Sequence, residues 1–517
     1  MERKWWTLLA VCVATFMLLI DVTIVNVALP DIQRDLDASF SSLQWVVDAY
    51  ALTLASFLLV AGSIGDRIGR RRVFSFGFAL FAASSFACGL SPDATVLNVA
   101  RGFQGAGAAA MFATALALIA QEFEGRERGN AIGIWGATVG GSVAIGPLIG
   151  GLLTEGLGWE WIFFVNVPVG IAAIALTERK LLNLKATDRQ PIDWAGLTTF
   201  SVALFLLIFG LIRGNAEGWG SAQIVATLGA SAALLIAFVA TELRRKHAML
   251  DLSLFRKPSF TGVSIVAFAL SAGMFAMFLY LTLYIQGVLS YGPLEAGLRF
   301  LPLTVLSFVV APISGQLLHR VPARAIMGVG MILVGLGLTL MHGVEVEDAW
   351  TGLLPGFLVA GIGIGMTNPG IASVAIGVVD AARAGMASGI NSTFRQDGIA
   401  TGTAALGAVF ESRIHSELDA LLPGAPEAFS EAVSSGAAQS ALASVPPQLR
   451  EQAAEAANQA FITGLNEILL VGAAIAFVGG IAGWALIRGR DLVGAPAGAS
   501  RPAGEAVGSE PEGSPAS

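Results

Sequence analysis

The sequence predicts an all-α polytopic membrane protein: two pseudo-symmetric six-helix bundles plus two inserted linker helices, with fourteen transmembrane helices in all. Three observations carry that reading. The chain is apolar throughout: 55% of its 517 residues are hydrophobic and 13% charged, with a mean hydropathy of +0.72, whereas a soluble domain is about 25% charged. Apolar runs of about 20 residues recur along it, the length that crosses roughly 30 Å of hydrocarbon. One loop pattern also occurs twice, at corresponding places in the two ends of the membrane region.

The spans read, in order, 7–29, 43–64, 73–91, 95–119, 130–154, 160–178, 193–213, 222–242, 260–288, 294–318, 324–343, 350–379, 384–410 and 461–487. Lys and Arg orient them. One side holds most of the basic residues, among them Arg67, Arg70, Arg71, Arg72, Arg179, Lys180, Arg320 and Arg383; the other holds Arg34, Arg213, Arg413 and Arg450. This bias places both termini in the cytoplasm and favours an even number of spans. The first span is too long for a signal-peptide core and has no small-residue cleavage site, so it is expected to be retained.

Other classes fall away. A net charge of −7 offers no basic surface for nucleic acid. Cys12 and Cys88 lie in predicted spans with no metal spacing. The four histidines are scattered. No HExxH and no GxxxxGK[ST] occurs, which leaves no zinc-protease helix and no ATP loop. No nucleophile with a base and no paired catalytic carboxylates emerge.

The repeat divides the chain. "GSIGDRIGRRRVFSFG" (62–77) lines up with "GQLLHRVPARAIMGVG" (315–330), so that Gly62, Arg67, Arg71 and Gly77 fall on Gly315, Arg320, Arg324 and Gly330. "RGNAIGI" (128–134) resembles "RAGMASGI" (383–390) at nearly the same offset. Such repeats mark transporters built from two related halves with the substrate site between them. The expected parts are an N-terminal six-helix bundle at 1–185, two inserted linker helices at 186–258, and a C-terminal six-helix bundle at 259–490 that includes an outer loop at 412–459. A Pro/Gly/Ala-rich stretch at 491–517 reads as a disordered cytoplasmic tail.

Five motifs in order identify a resemblance. "DVTIVNVALP" (21–30), "GDRIGRRR" (65–72), "RGFQGAGAA" (101–109), "GPLIGG" (146–151) and "WEWIFFVNVPVG" (159–170) resemble the major facilitator superfamily, and within it the fourteen-span drug:proton antiporters of the multidrug efflux type. The resemblance covers nearly the whole membrane region. It departs at Ser142, where the fuller fifth-span motif has glycine.

Each motif has a physical reading. Asp21 stands inside an apolar run, where a charge costs at least ~2.5–3.5 kcal/mol. Such a residue usually faces a water-filled cavity and can bind and release a proton. At ~1.5 Å per residue it lies about 20 Å from the inner end of its helix, and Arg101 about 9–10 Å in from the outer end of the fourth span, so the two can share a level. The resemblance implicates this arginine in proton coupling. Asp21 is then expected to alternate between a proton, a cationic substrate and an interaction near Arg101. Gln104, Gly105 and Gly107 complete the fourth-span motif.

The loop motif comprises Gly62, Asp66, Arg67, Gly69, Arg70 and Arg71, and the resemblance implies a cytoplasmic gate. Asp66 is expected to accept from backbone groups at a helix start or to pair with an arginine across the bundle. Gly133, Gly146, Pro147, Gly150 and Gly151 make up the fifth-span antiporter motif; small residues allow close helix approach and Pro147 kinks the span. In the second half, Asn391, Arg395, Gln396 and Asp397 form a polar set in which Arg395 and Asp397 are about 200° apart and do not pair. Asp397 and Glu467 are further proton-site candidates; Asn26, Asn391, Arg395 and Gln396 are cavity candidates.

The expected function is secondary active transport: proton-coupled export of lipophilic or cationic compounds, with no cofactor, no metal, and a small-molecule substrate and protons as partners in membrane lipid. A dedicated exporter of one endogenous natural product, such as an antibiotic or siderophore, is the alternative. An importer and a non-transporting receptor or scaffold fit fewer of the motifs. Arg outnumbering Lys, with abundant Ala and Gly, points to a GC-rich bacterium and its inner (cytoplasmic) membrane, and the resemblance implies a monomer.

Overall fold

The computed structural model describes residues 2–38, 40–182, 193–244, 250–380, 383–434, 436, 438–442 and 445–491. The expected tail and the two connections that bound the inserted pair fall largely outside them. Among the described residues helix is the only regular structure.

The first half contributes Arg3–Asp35, Phe40–Ile68, Arg70–Gly89, Ala94–Glu122, Gly125–Leu157 and the interrupted pair Trp161–Phe164 and Asn166–Lys180. The inserted pair is Trp194–Glu217 and Ala222–Glu242. The second half contributes Pro258–Val288, then Leu301–Leu317 after the short helix Pro293–Arg299, Ala323–Met341, Leu354–Gly377, Ala384–Leu421 and Arg450–Leu486. Eleven of these are long and apolar enough to cross a membrane. The fifth, tenth and thirteenth complete fourteen. The tenth is 17 residues long, and the thirteenth carries the Asn391 to Asp397 polar set.

Local chemistry sets the ends. Asp93 caps the fourth span by accepting from the N–H groups of Thr95 and Val96 at 2.8 and 2.9 Å, which satisfies orphan donors of the first turn. The turn between the second and third spans is a single residue, Gly69, at φ 110°, a conformation that side chains resist. Leu152, Ile171, Ile236 and Ile481 are among the exposed large apolar residues; in a bilayer that surface meets hydrocarbon. The thirteenth and fourteenth helices run past the hydropathy boundaries at 410 and 461. With Glu427–Ser434 and Ala438–Leu442 they build a helical cap from the predicted outer loop.

The halves repeat one packing scheme. The second span packs on the fourth as the tenth does on the twelfth, the third on the sixth as the eleventh on the fourteenth, and the first on the fifth as the ninth on the thirteenth. The closest approaches repeat too. A methyl at Gly77 would meet the Gly107 carbonyl at 2.9 Å, and one at Gly330 the Gly363 carbonyl at 2.9 Å. Gly105 and Gly361 sit in the same way against the backbone of Tyr50 and Leu303.

Candidate functional site

The halves meet in two reciprocal crossings, second span on thirteenth and fifth on tenth. At Gly62 a methyl would fall 3.1 Å from the carbonyl carbon of Gly385. At Gly315 one would fall 3.3 Å from the carbonyl carbon of Gly129 and 3.3 Å from Gly133 Cα. The loop motif of each half thus lies against the fifth-span-type helix of the other, as a two-fold repeat requires. Both crossings occur at the end of the bundle where the described residues of the two termini lie.

Asp66 carries the polar contact across the first crossing. Its carboxylate accepts the backbone N–H of Gly385 at 3.2 Å and of Met386 at 2.8 Å, in the first turn of the thirteenth helix. A carboxylate there meets unpaired donors and the positive end of the helix dipole. Arg70 fixes it from its own half, Nε to Oδ1 at 2.9 Å, while its Nη1 donates to the Ala117 carbonyl at 3.2 Å. Both of these Arg70 contacts lie within the first half. Arg71 pairs with Glu178 and donates to the Leu181 carbonyl within the first half, Arg72 is exposed, and Arg67 lies within electrostatic reach of Asp193 and Glu242 of the inserted pair. In the second half His319 takes the place of Asp66, and a methyl at Gly129 would lie 2.6 Å from its Nε2.

Asp21 lies at the centre of the first bundle, 1% exposed. It pairs with Arg101 and accepts from Gln104 Nε2 at 2.9 Å and Asn166 Nδ2 at 3.3 Å. Arg101, also 1% exposed, donates to the Val46 carbonyl and to Gln104 Oε1, both at 2.8 Å, and lies 4.3 Å from the centre of the Tyr50 ring. Ser85 accepts from Gln104 and Asn166 and donates to the Phe163 carbonyl at 2.9 Å. Five spans thus supply one buried network. The expectation that Asp21 faces an open cavity does not hold in this conformation. The network fills that space, because a charge pair out of water is tolerable only when its remaining lone pairs and protons are satisfied.

Glycines bring these helices together. A methyl at Gly146 would lie 2.8 Å from Thr23 Cβ, and one at Gly107 2.7 Å from the Phe81 nitrogen. A methyl at Gly133 would lie 2.8 Å from Pro312 Cα, across to the tenth span. Gly150 is buried. Gly151 has open space beside it, so its part in the motif is not close packing. Ser142 is accommodated where the motif has glycine, since its hydroxyl donates to the Thr138 carbonyl on its own helix. The side chains of Pro147 and Asn26 lie outside the described residues.

Among its described residues the second half shows no matching buried pair. Asn391 is 3% exposed, and its Nδ2, like Asp397 Oδ1, is buried without a hydrogen-bond partner. Arg395 lies 5.7 Å from the centre of the Phe275 ring, and no ion pair joins it to Asp397. Gln396 is half-buried. Glu467 is about half-exposed and paired with Arg413 at 3.2 Å. Asn368, which the sequence reading passed over, is 2% exposed with neither amide atom bonded.

Two pseudo-symmetric helical bundles, glycine crossings between them and one buried ion-pair network define a secondary transporter of the two-half type. The chain belongs to the Major Facilitator Superfamily, whose family model matches residues 11–403. It is 36% identical over 494 residues to a tetracenomycin C resistance and export protein from Streptomyces glaucescens, covering 92% of this chain and 90% of that one. It is 37% identical over 414 residues to the multidrug resistance protein Stp of Mycobacterium tuberculosis, covering 80% and 77%, and 35% identical over 413 residues to the puromycin resistance protein pur8 of Streptomyces alboniger, covering 79% and 82%. Its fold is similar to that of the human organic anion transporter MFSD10, with a TM-score of 0.61 at 13% identity, over 92% of this chain and all of that one. The protein is therefore a multi-pass membrane transporter of small molecules rather than an enzyme.

Proposed function

We propose that the protein exports lipophilic, often cationic, compounds from the cytoplasm in exchange for protons, with both termini and the two glycine crossings on the cytoplasmic side. The observation that carries this is the Asp21–Arg101 pair, a charge pair enclosed by Gln104, Asn166 and Ser85. A proton on Asp21 removes the charge that holds Arg101. The network must then rearrange, because the guanidinium is left buried without its counter-charge. Loss of that proton on the cytoplasmic side restores the pair. Substrate bound between the halves gains or loses affinity with the same rearrangement, which couples the two fluxes. The basic bias of the loops supports the orientation. A potential of about 150 mV supplies roughly 3.5 kcal/mol per charge, enough for a gradient of a few hundred-fold.

Export rather than uptake is favoured by the relatives, which are named for resistance and export. Some of these names give one antibiotic, tetracenomycin C or puromycin, which favours a dedicated exporter as the second reading. The test is accumulation of an ethidium-like cation in everted vesicles carrying an acid interior. Uptake that collapses when the proton gradient is discharged supports the proposal. A panel that finds transport of a single aromatic natural product and of no simple cation favours the second reading.

A further inference from the structure

The inserted pair does more in this fold than join the halves. Its first helix, Trp194–Glu217, packs on the second span and also on the thirteenth, the two helices of the Asp66 crossing. Ser201 donates to the Ser56 carbonyl at 3.2 Å, and Ile208 is buried with Leu52 and Ala55, with Ala400 packed against them. Ser231 ties the second helix to the first by donating to the Ala203 carbonyl at 2.8 Å.

Three acidic side chains of this insertion reach the crossing. Asp193 and Glu242, each 4% exposed, lie side by side: a methyl on Gly196 would be 2.5 Å from Glu242 Oε1 and 3.1 Å from Asp193 Oδ2. Asp193 caps its helix at Gly196 N–H, 2.8 Å, and Glu242 accepts from Leu250 N–H at 3.3 Å. Two buried carboxylates repel unless a cation stands between them. Among the described residues, Arg67, the residue next to Asp66 and at the end of the second span on which the inserted pair packs, lies within electrostatic reach of both. On the other half, Asp251 pairs with Arg383 at 2.6 Å, and Arg383 precedes the helix turn whose N–H groups bind Asp66.

We propose that the inserted pair is a latch on the gate. Asp193 and Glu242 hold Arg67 on one half, Asp251 holds Arg383 on the other, and together they position both partners of the Asp66–Met386 contact and set how readily that crossing opens. They are positioning residues and touch no substrate. The proposal rests on the reading that the halves part at this crossing during transport.

The test uses the full chain with Cys12→Ala and Cys88→Ala, and Ser388→Cys as the reporter. Ser388 is fully buried one turn below the crossing and its hydroxyl makes no hydrogen bond, so a thiol fits with little disturbance. Labelling by a membrane-impermeant maleimide from the terminal side reports opening. Glu242→Gln and Asp193→Asn are expected to raise the labelling rate at least fivefold, and Asp251→Asn about twofold or more. Arg67→Gln should match Glu242→Gln, and combining those two should add nothing. Lowered melting temperatures with an unchanged labelling rate would assign the insertion a purely structural role and overturn the latch. If Glu242→Gln does not insert, the partly exposed Asp251–Arg383 pair decides, and no change there overturns the proposal as well. Labelling requires no transport, so a latch with no proton-coupled export would count against the proposed function alone.

Discussion

The Asp66 carboxylate, at the end of the second span, accepts the backbone N–H of Met386 in the other half at 2.8 Å. It is a charge-assisted bond between two pieces of chain 320 residues apart, placed where the halves separate in the proposed transport cycle. Bonds of this type contribute about 1.5–3 kcal/mol. Asp66→Ala should therefore shift the crossing toward its open form by roughly 10- to 100-fold. Faster labelling of the Ser388→Cys reporter, with normal insertion, is the expected result.

Packing at the two crossings should be equally strict. A side chain at Gly62 or Gly129 runs into backbone of the opposite half, which cannot move aside as a side-chain tip can. Gly62→Val and Gly129→Val should each reduce transport below about a tenth through overpacking, whereas Gly151→Val, with nothing within 4 Å of the added carbon, should transport normally. Vesicle uptake rates, normalised to inserted protein, check all three.

The buried pair makes a stability prediction. Arg101→Ala leaves Asp21 charged and unpaired, a change that costs about 3–5 kcal/mol in buried pairs. Adding Asp21→Asn removes the stranded charge and should recover most of the loss. Thermal unfolding of the two single variants and the double variant measures the coupling. Additive losses would mean that the two residues do not depend on each other.

The pH dependence of the latch also has a sign. Burial acts to raise the Asp251 carboxyl, but donors from Ser253, and then the Arg383 guanidinium, outweigh it and hold the group below its usual range. A depressed carboxylate contributes stability that is present above its unfolded value of about 3.9 and is lost as pH falls through the folded value. The Asp251–Arg383 tie should therefore be constant from pH 5 to 8. Labelling in the Asp251→Asn variant and its parent should keep one ratio across that window.

The glycine and charge pattern made much of this legible. Gly62 and Gly315 stand out because a two-fold repeat must spend the same small residue twice, and Asp21 and Arg101 stand out because each is a charge at the same depth in an apolar run. The remainder of the network was not legible in that way. Ser85 is a small residue of ordinary span composition, and Asn166 becomes a partner of Asp21 only through the packing of the sixth span on the first and third. Glu467 read as a proton-site candidate from its place in the last span, yet its carboxylate is about half-exposed and paired with Arg413. Asp193 and Glu242 sit at the outer sequence ends of the inserted pair, and only the packing of that pair on the second span brings them within electrostatic reach of Arg67.

The measurement that bears most directly on the central claim is proton release on addition of an ethidium-like cation to energised everted vesicles, comparing the natural chain with Asp21→Asn. The account predicts release in the natural chain and its loss in the variant, with insertion and cation binding retained. Undiminished, substrate-dependent proton release by Asp21→Asn would contradict it, and Asp397, whose Oδ1 lies buried without a partner, would become the carboxylate to test.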